Sequence, residues 1–156
     1  MEFKELLEKR HSCRLFEEKE IPPAVIEELV ESANNAPSAG GLKAREILVI
    51  TDAKIKQKVS NAAHNQKDDF IAKAGVILVF CADKEKNKER FGERGVKIYS
   101  LEDTVIACSF AHLKAVDLGL ASCWVGSFNE QQLIEALALK ENLYPVSILP
   151  IGYEKK

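Results

Sequence analysis

Arg10, His11, Ser12 and Arg14 stand together in the run RHSCRLF and supply two permanent positive charges, one conditional charge and a hydroxyl. A guanidinium presents a planar fork of donors that suits a phosphate or a carboxylate, and it stays charged near neutral pH. The run reads either as an anion clamp or as a solvated basic turn, because charged side chains ordinarily lie at the surface. A second stretch, APSAGGLKAR, places Pro37, Gly40 and Gly41 where they exclude regular helix and predict a tight loop. Paired glycines let a flat or anionic ligand approach main-chain N–H groups, although most such pairs are only turns. The carboxylate pairs Glu17-Glu18 and Asp68-Asp69 sit in polar company and read as solvated faces.

Several chemistries are excluded by what is missing. No nucleophile elbow, Walker loop or dinucleotide fingerprint is present, since FGERG has the wrong spacing and lies in a charged stretch. Cys13, Cys81, Cys108 and Cys123 are scattered without a Cys-x-x-Cys pair, and His11, His64 and His112 are equally dispersed, so no metal site is expected. A formal net charge of −2 argues against general nucleic-acid affinity. No apolar run reaches the length of a membrane span, and the start MEFKELLEKR is charged rather than an export segment. A reducing, cytoplasmic compartment is the expectation. An enzyme without an evident acid, base or nucleophile needs a cofactor to carry its chemistry.

The elements that must position these residues follow from periodicity and punctuation. Phe3, Leu6 and Leu7 predict a short first helix with one buried stripe; Pro22-Pro23 opens a second helix running to Asn34. Buried strands are predicted over 46–51 and 74–81, around a helix over 54–63 with Ile55, Val59 and Ala62 inward. The charged stretch 83–97 predicts an exposed, mobile connection. Ser100 with Asp103 resembles a capping box for a long helix ended by Gly119, apolar all round, with Ala107 and Ala111 small enough for close packing against a second copy. A strand over 122–127 breaking at Gly126, a helix capped by Asn129 and a strand over 145–153 complete the chain. The length of 156 residues predicts one domain, 1–156, with an α/β or α+β sandwich around one sheet.

These motifs, in this order, resemble the FMN-dependent nitroreductase superfamily. RHSCRLF is similar to its N-terminal signature, APSAGGL before EILVI to its second motif, and AHNQ before GVILVFCAD to its third; the long helix leads through DLGLASCWVGSF to ILPIGY. APSAGGL and RFGERG look like the branch containing the flavin-dependent azoline dehydrogenases. The resemblance implies an α+β three-layer sandwich, a central mixed sheet flanked by helices with a long buried central helix. It implies a homodimer with FMN at the subunit interface. Arg10, Ser12 and Arg14 would hold the FMN phosphate and ribityl chain, with His11 contributing main chain. Pro37, Ser38 and Ala39 would line the ring from the other subunit, Asn65 would contact its pyrimidine edge, and Gly126 and Ser127 would offer N–H groups to it.

The implied reaction is ping-pong: NADH or NADPH reduces FMN, then a second substrate such as a nitro compound or quinone is reduced in the same pocket. The alternatives are an FMN-binding carrier or sensor with little turnover, and a cofactor-free dimer that keeps only the fold. Some departures bear on this. Gly41, Lys43, Ala44 and Arg45 replace residues that relatives use near the flavin. Glu154, Lys155 and Lys156 stand where relatives continue into a longer tail, so FMN binding is expected to be weaker. Lys97 and Tyr99 fall near the position of a Lys-Tyr pair in azoline dehydrogenases.

Overall fold

Apolar side chains collect on both faces of a four-stranded sheet, and this division sets the architecture. The computed structural model describes residues 1–64 and 67–156. In order the elements are α1 (Phe3–Lys9), α2 (Pro23–Asn34), β1 (Arg45–Ile50), α3 (Ala53–Ala62), α4 (Phe70–Lys73), β2 (Val76–Asp83), α5 (Lys88–Arg94), α6 (Ser100–Asp117), β3 (Ala121–Ser122), α7 (Glu130–Leu137) and β4 (Leu143–Gly152). The strand order is β1-β2-β4-β3, and these ladders are antiparallel. Among the described residues, the parallel component of the expected mixed sheet is the bridge between Ser12 and Ser122.

Alternation along β2 divides the core. Ile77, Val79 and Cys81 pack with Val59 of α3, Phe70 and Ile71 of α4 and Leu133 of α7. Val76, Leu78 and Phe80 pack with Leu29 and Ala33 of α2 and with Ala107, Cys108, Ala111 and Ala115 of α6. Both faces of β2 are therefore sealed, which its unbroken apolar run anticipates. Each large side chain buried this way stabilises the fold by about 2 kcal/mol. Ala107 and Ala111 are fully buried within the chain, so the close packing expected of them is made against its own sheet and α2 rather than a second copy.

Several expected elements differ. The stretch 83–97 is largely helical: α5 breaks at Gly92, where φ is +57°, and continues through a π-turn, Gly95–Tyr99, into α6. Asn87 is buried there, and a Cβ on Gly95 would stand 2.5 Å from the Asn87 carbonyl oxygen. Its charges misled because they lie on outer helical faces, as in the Lys97–Glu93 pair at 3.1 Å. The capping box is absent, because the preceding turn already satisfies the N–H groups a cap would serve. Ser100 Oγ instead donates to the Val96 carbonyl at 2.7 Å.

The strand expected over 122–127 is confined to Ala121–Ser122. Cys123 N donates to the Pro150 carbonyl, but Pro150 has no N–H to return the bond, and pairing resumes only at Val125 with Ile148. Ile55 is 38% exposed rather than inward, Val49 of the edge strand β1 is 45% exposed, and of the α1 stripe only Leu6 is buried. Asn129 caps α7 as expected, its Oδ1 accepting from Gln132 N at 2.9 Å, and Gly119 at φ +73° follows the end of α6.

The double-glycine loop is fixed by two buried charges. Arg45, 4% exposed, donates from Nη2 to the carbonyls of Ala33, Asn34 and Ala36, and from Nη1 to those of Pro37 and Asp103. It thereby satisfies carbonyls at the end of α2 that lack helical partners. Asp103, 2% exposed, accepts from Ala39 N at 2.8 Å and Ala44 N at 3.1 Å, bracketing the same loop. Gly40 sits at φ +58°, and a Cβ there would meet the Arg90 guanidinium at 2.6 Å. Replacing Arg45 with Met should lower the unfolding free energy by about 3 kcal/mol. Urea unfolding measures this as a lower midpoint at unchanged slope. An unchanged midpoint would show that the loop is held by other contacts.

Candidate functional site

An open cleft of about 830 Å³ lies beside the RHSCRLF run, within the size range of small-molecule sites. The run is strapped in extended form: Cys13 N donates to the Ser122 carbonyl at 3.0 Å, Glu17 N to that of Tyr153 at 2.9 Å, and Lys155 N to that of Leu15 at 3.0 Å. Cys13 and Phe16 turn into the core, each 3% exposed, while Ser12, Arg14 and Leu15 face out and line the cleft. Trp124, Val125, Gly126 and Ser127 also line it, together with Phe70 and Ile71. His64 ties Ser127 in place: its N–H donates to the Ser127 carbonyl at 2.9 Å, and its Nδ1 pairs with Ser127 Oγ at 3.2 Å. Arg14, Lys67 and Lys155 bring positive charge, and Asp68 and Glu154 bring negative charge, to one cleft with an apolar wall. Such a lining offers partners both to an anionic group and to a flat apolar one.

His11 lies between two acceptors, the Lys9 carbonyl at 3.0 Å and Glu154 Oε1 at 2.9 Å. The Lys9 hydrogen bond and then that to Glu154 hold its imidazole above the ordinary histidine value. His11, Cys13 and Glu154 each bring one donor atom within 4.8 Å of the others. Burial raises the Cys13 thiol above its ordinary value, which opposes the thiolate that a metal would need. Three donors also fall short of a closed four-ligand zinc set.

Arg10 does not line the cleft. Its Nη1 lies 3.2 Å from His112 Nε2 on α6, and His112 Nδ1 lies 2.6 Å from Ser122 Oγ. Burial, and then the adjacent Arg10 charge, push His112 down to about 4.

Of the expected site residues, the fold thus gathers His11, Ser12, Arg14, Gly126 and Ser127 into one cleft. Pro37, Ser38 and Ala39 lie outside it, in the loop held by Asp103 and Arg45. Asn65 lies outside the described residues. Lys97 pairs with Glu93, and the Tyr99 hydroxyl accepts from Arg94 Nε at 3.1 Å; neither lines the cleft. His64, Lys67 and Trp124 join the cleft without having been singled out, although His64 stands in the AHNQ motif.

The Nitroreductase family model matches residues 7–69 and 65–153. A nitroreductase family protein from Clostridium novyi NT is 30% identical, with a TM-score of 0.90 over 100% of this chain and 87% of that one. A nitroreductase family protein from Clostridium difficile 630 is 34% identical, with a TM-score of 0.85 over 100% and 86% of the two chains. The FMN reductase (NADPH) of Bacillus subtilis is 26% identical over 155 residues; the match covers 91% of this chain and 61% of that protein.

The raised His11 value makes its pairing with Glu154 pH-dependent in a defined sense. The stabilisation is full below the ordinary imidazole value and is lost as pH rises through the raised folded value. In Glu154→Gln the His11 midpoint, followed by NMR of the ring protons, should fall while staying above the ordinary value, because the Lys9 carbonyl remains. An unmoved midpoint would remove Glu154 as a cause.

Proposed function

The chain belongs to the nitroreductase family, and on that premise we propose that it is an FMN-dependent oxidoreductase. It takes hydride from NADH or NADPH and passes it to a second small molecule, such as a nitro compound or a quinone, by a ping-pong route. The observation that carries this reading is the convergence of Ser12 and Arg14 with Gly126 and Ser127 on one cleft, although the chain separates them by most of its length. The FMN reductase (NADPH) among the similar proteins supports the choice of cofactor and reductant.

The donor set fits the cofactor. Arg14 and Lys155 would bind the phosphate through their N–H donors, and Ser12 would add a hydroxyl donor. Trp124, Val125, Phe70 and Ile71 provide apolar surface suited to a flat ring. The Gly126 and Ser127 main chain, steadied by His64, would offer N–H groups to the ring edge, where donors favour an anionic reduced form. FMN, when bound, supplies the capacity to accept and release hydride, which no side chain of the cleft has.

The functional unit in this proposal is a homodimer. Phe3 (67% exposed), Leu7, Leu15, Ile98, Leu101 and Phe110 leave apolar surface that a second copy would cover. Pro37, Ser38 and Ala39 would then line the partner's cleft. Among the described residues no helix is long and apolar enough to cross a membrane, and the four buried free cysteines support a reducing, cytoplasmic setting.

Arg14→Ala should weaken FMN binding by about 10- to 100-fold, the worth of a hydrogen bond to a charged group. Quenching of FMN fluorescence on titration measures it. Unchanged affinity would overturn the phosphate role of Arg14.

A further inference from the structure

We infer that His112 is a positioning residue for Arg10, which stands outside the cleft next in chain to its lining residues His11 and Ser12, and that it fixes the guanidinium through a relay from Arg10 to His112 to Ser122. The inference rests on the FMN reading above and assigns the cofactor's phosphate end a support on the central helix α6. Arginine has donors only, so the His112 Nε2 that lies 3.2 Å from Arg10 Nη1 must be the acceptor. A neutral imidazole has one N–H, which therefore sits on Nδ1 and donates to Ser122 Oγ at 2.6 Å. The ring is buried, 8% exposed, so both contacts are shielded from competing water. Burial and the Arg10 charge both disfavour the imidazolium, which keeps the acceptor available.

Ser122 gives the relay its second anchor. Its carbonyl accepts from Cys13 N at 3.0 Å, and it bridges Ser12 in parallel. One β3 residue thereby fixes both the backbone of the RHSCRLF run and the tautomer of the histidine that aims Arg10. Only one guanidinium N–H is spent on His112, and the fork retains further donors for a phosphate. A leucine at 112 would fill similar space without an acceptor; a glutamine would restore one.

The test is a double-mutant cycle on FMN affinity, read by fluorescence quenching with the full-length chain. Arg10→Ala and His112→Leu should each weaken FMN binding by about tenfold. The double variant should be no weaker than Arg10→Ala alone, and His112→Gln should recover most of the loss. Loss in Arg10→Ala with none in His112→Leu overturns the inference and leaves the FMN reading intact. Additive losses assign His112 a merely structural role and also overturn it. Wild-type affinity in Arg10→Ala removes Arg10 from the phosphate site, and the relay's function with it. Should His112→Leu fail to fold, nitrogen NMR of the wild-type imidazole decides: a neutral ring protonated on Nδ1 supports the relay, and one protonated on Nε2 overturns it.

Discussion

Burying Arg45 and Asp103 is the constraint on which the other arrangements depend. A charge removed from water must be met by hydrogen bonds or it destabilises the fold. Here the two charges divide the work: the guanidinium takes five carbonyls and the carboxylate takes two loop N–H groups. Burial presses the Arg45 value down while the Asp103 charge opposes the shift. The end of α2, the double-glycine loop, the start of β1 and the first turn of α6 are locked into one unit as a result. That unit presents the Pro37–Ala39 segment in a set shape. In a dimer it would be the part of each subunit offered to the other's cleft.

The cleft itself is a product of how the run after α1 is fastened. Cys13 and Phe16, three positions apart, both enter the core, so strict alternation is broken between them and Ser12, Arg14 and Leu15 are left facing out. The same run is fastened to Ser122, Tyr153 and Lys155, so the two ends of the chain meet at the site. Pro150 interrupts the β3–β4 ladder and frees the main chain beyond Cys123 to turn along the cleft wall. The chemistry proposed for the protein thus follows from these backbone ties and from one missing N–H, with no reactive side chain required.

Much of this was legible in the sequence, and the reasons are specific. The unbroken apolar run of β2, the Asn129 cap and Gly119 after α6 are local signals with local causes. The cleft residues of RHSCRLF and VGS were legible only through the order of motifs, because nothing in spacing alone brings Arg14 beside Gly126. What sequence reasoning missed is long-range. Asp103 has the spacing of a cap, and its actual partners, Ala39 and Ala44, lie about sixty positions away. His112 bonds a residue 102 positions away, and no periodicity announces it. The charge of 83–97 suits an exposed connection and an outer helical face equally well, and the structure has the second.

The central claim is that the cleft holds FMN and lets a nicotinamide nucleotide reduce it. The most direct measurement is anaerobic titration of the FMN-loaded protein with NADPH, and separately with NADH. The account predicts that the yellow flavin absorbance bleaches in stoichiometric proportion with at least one of them and returns when a quinone or nitro compound is added. A protein that binds FMN and stays yellow with both nucleotides would contradict it.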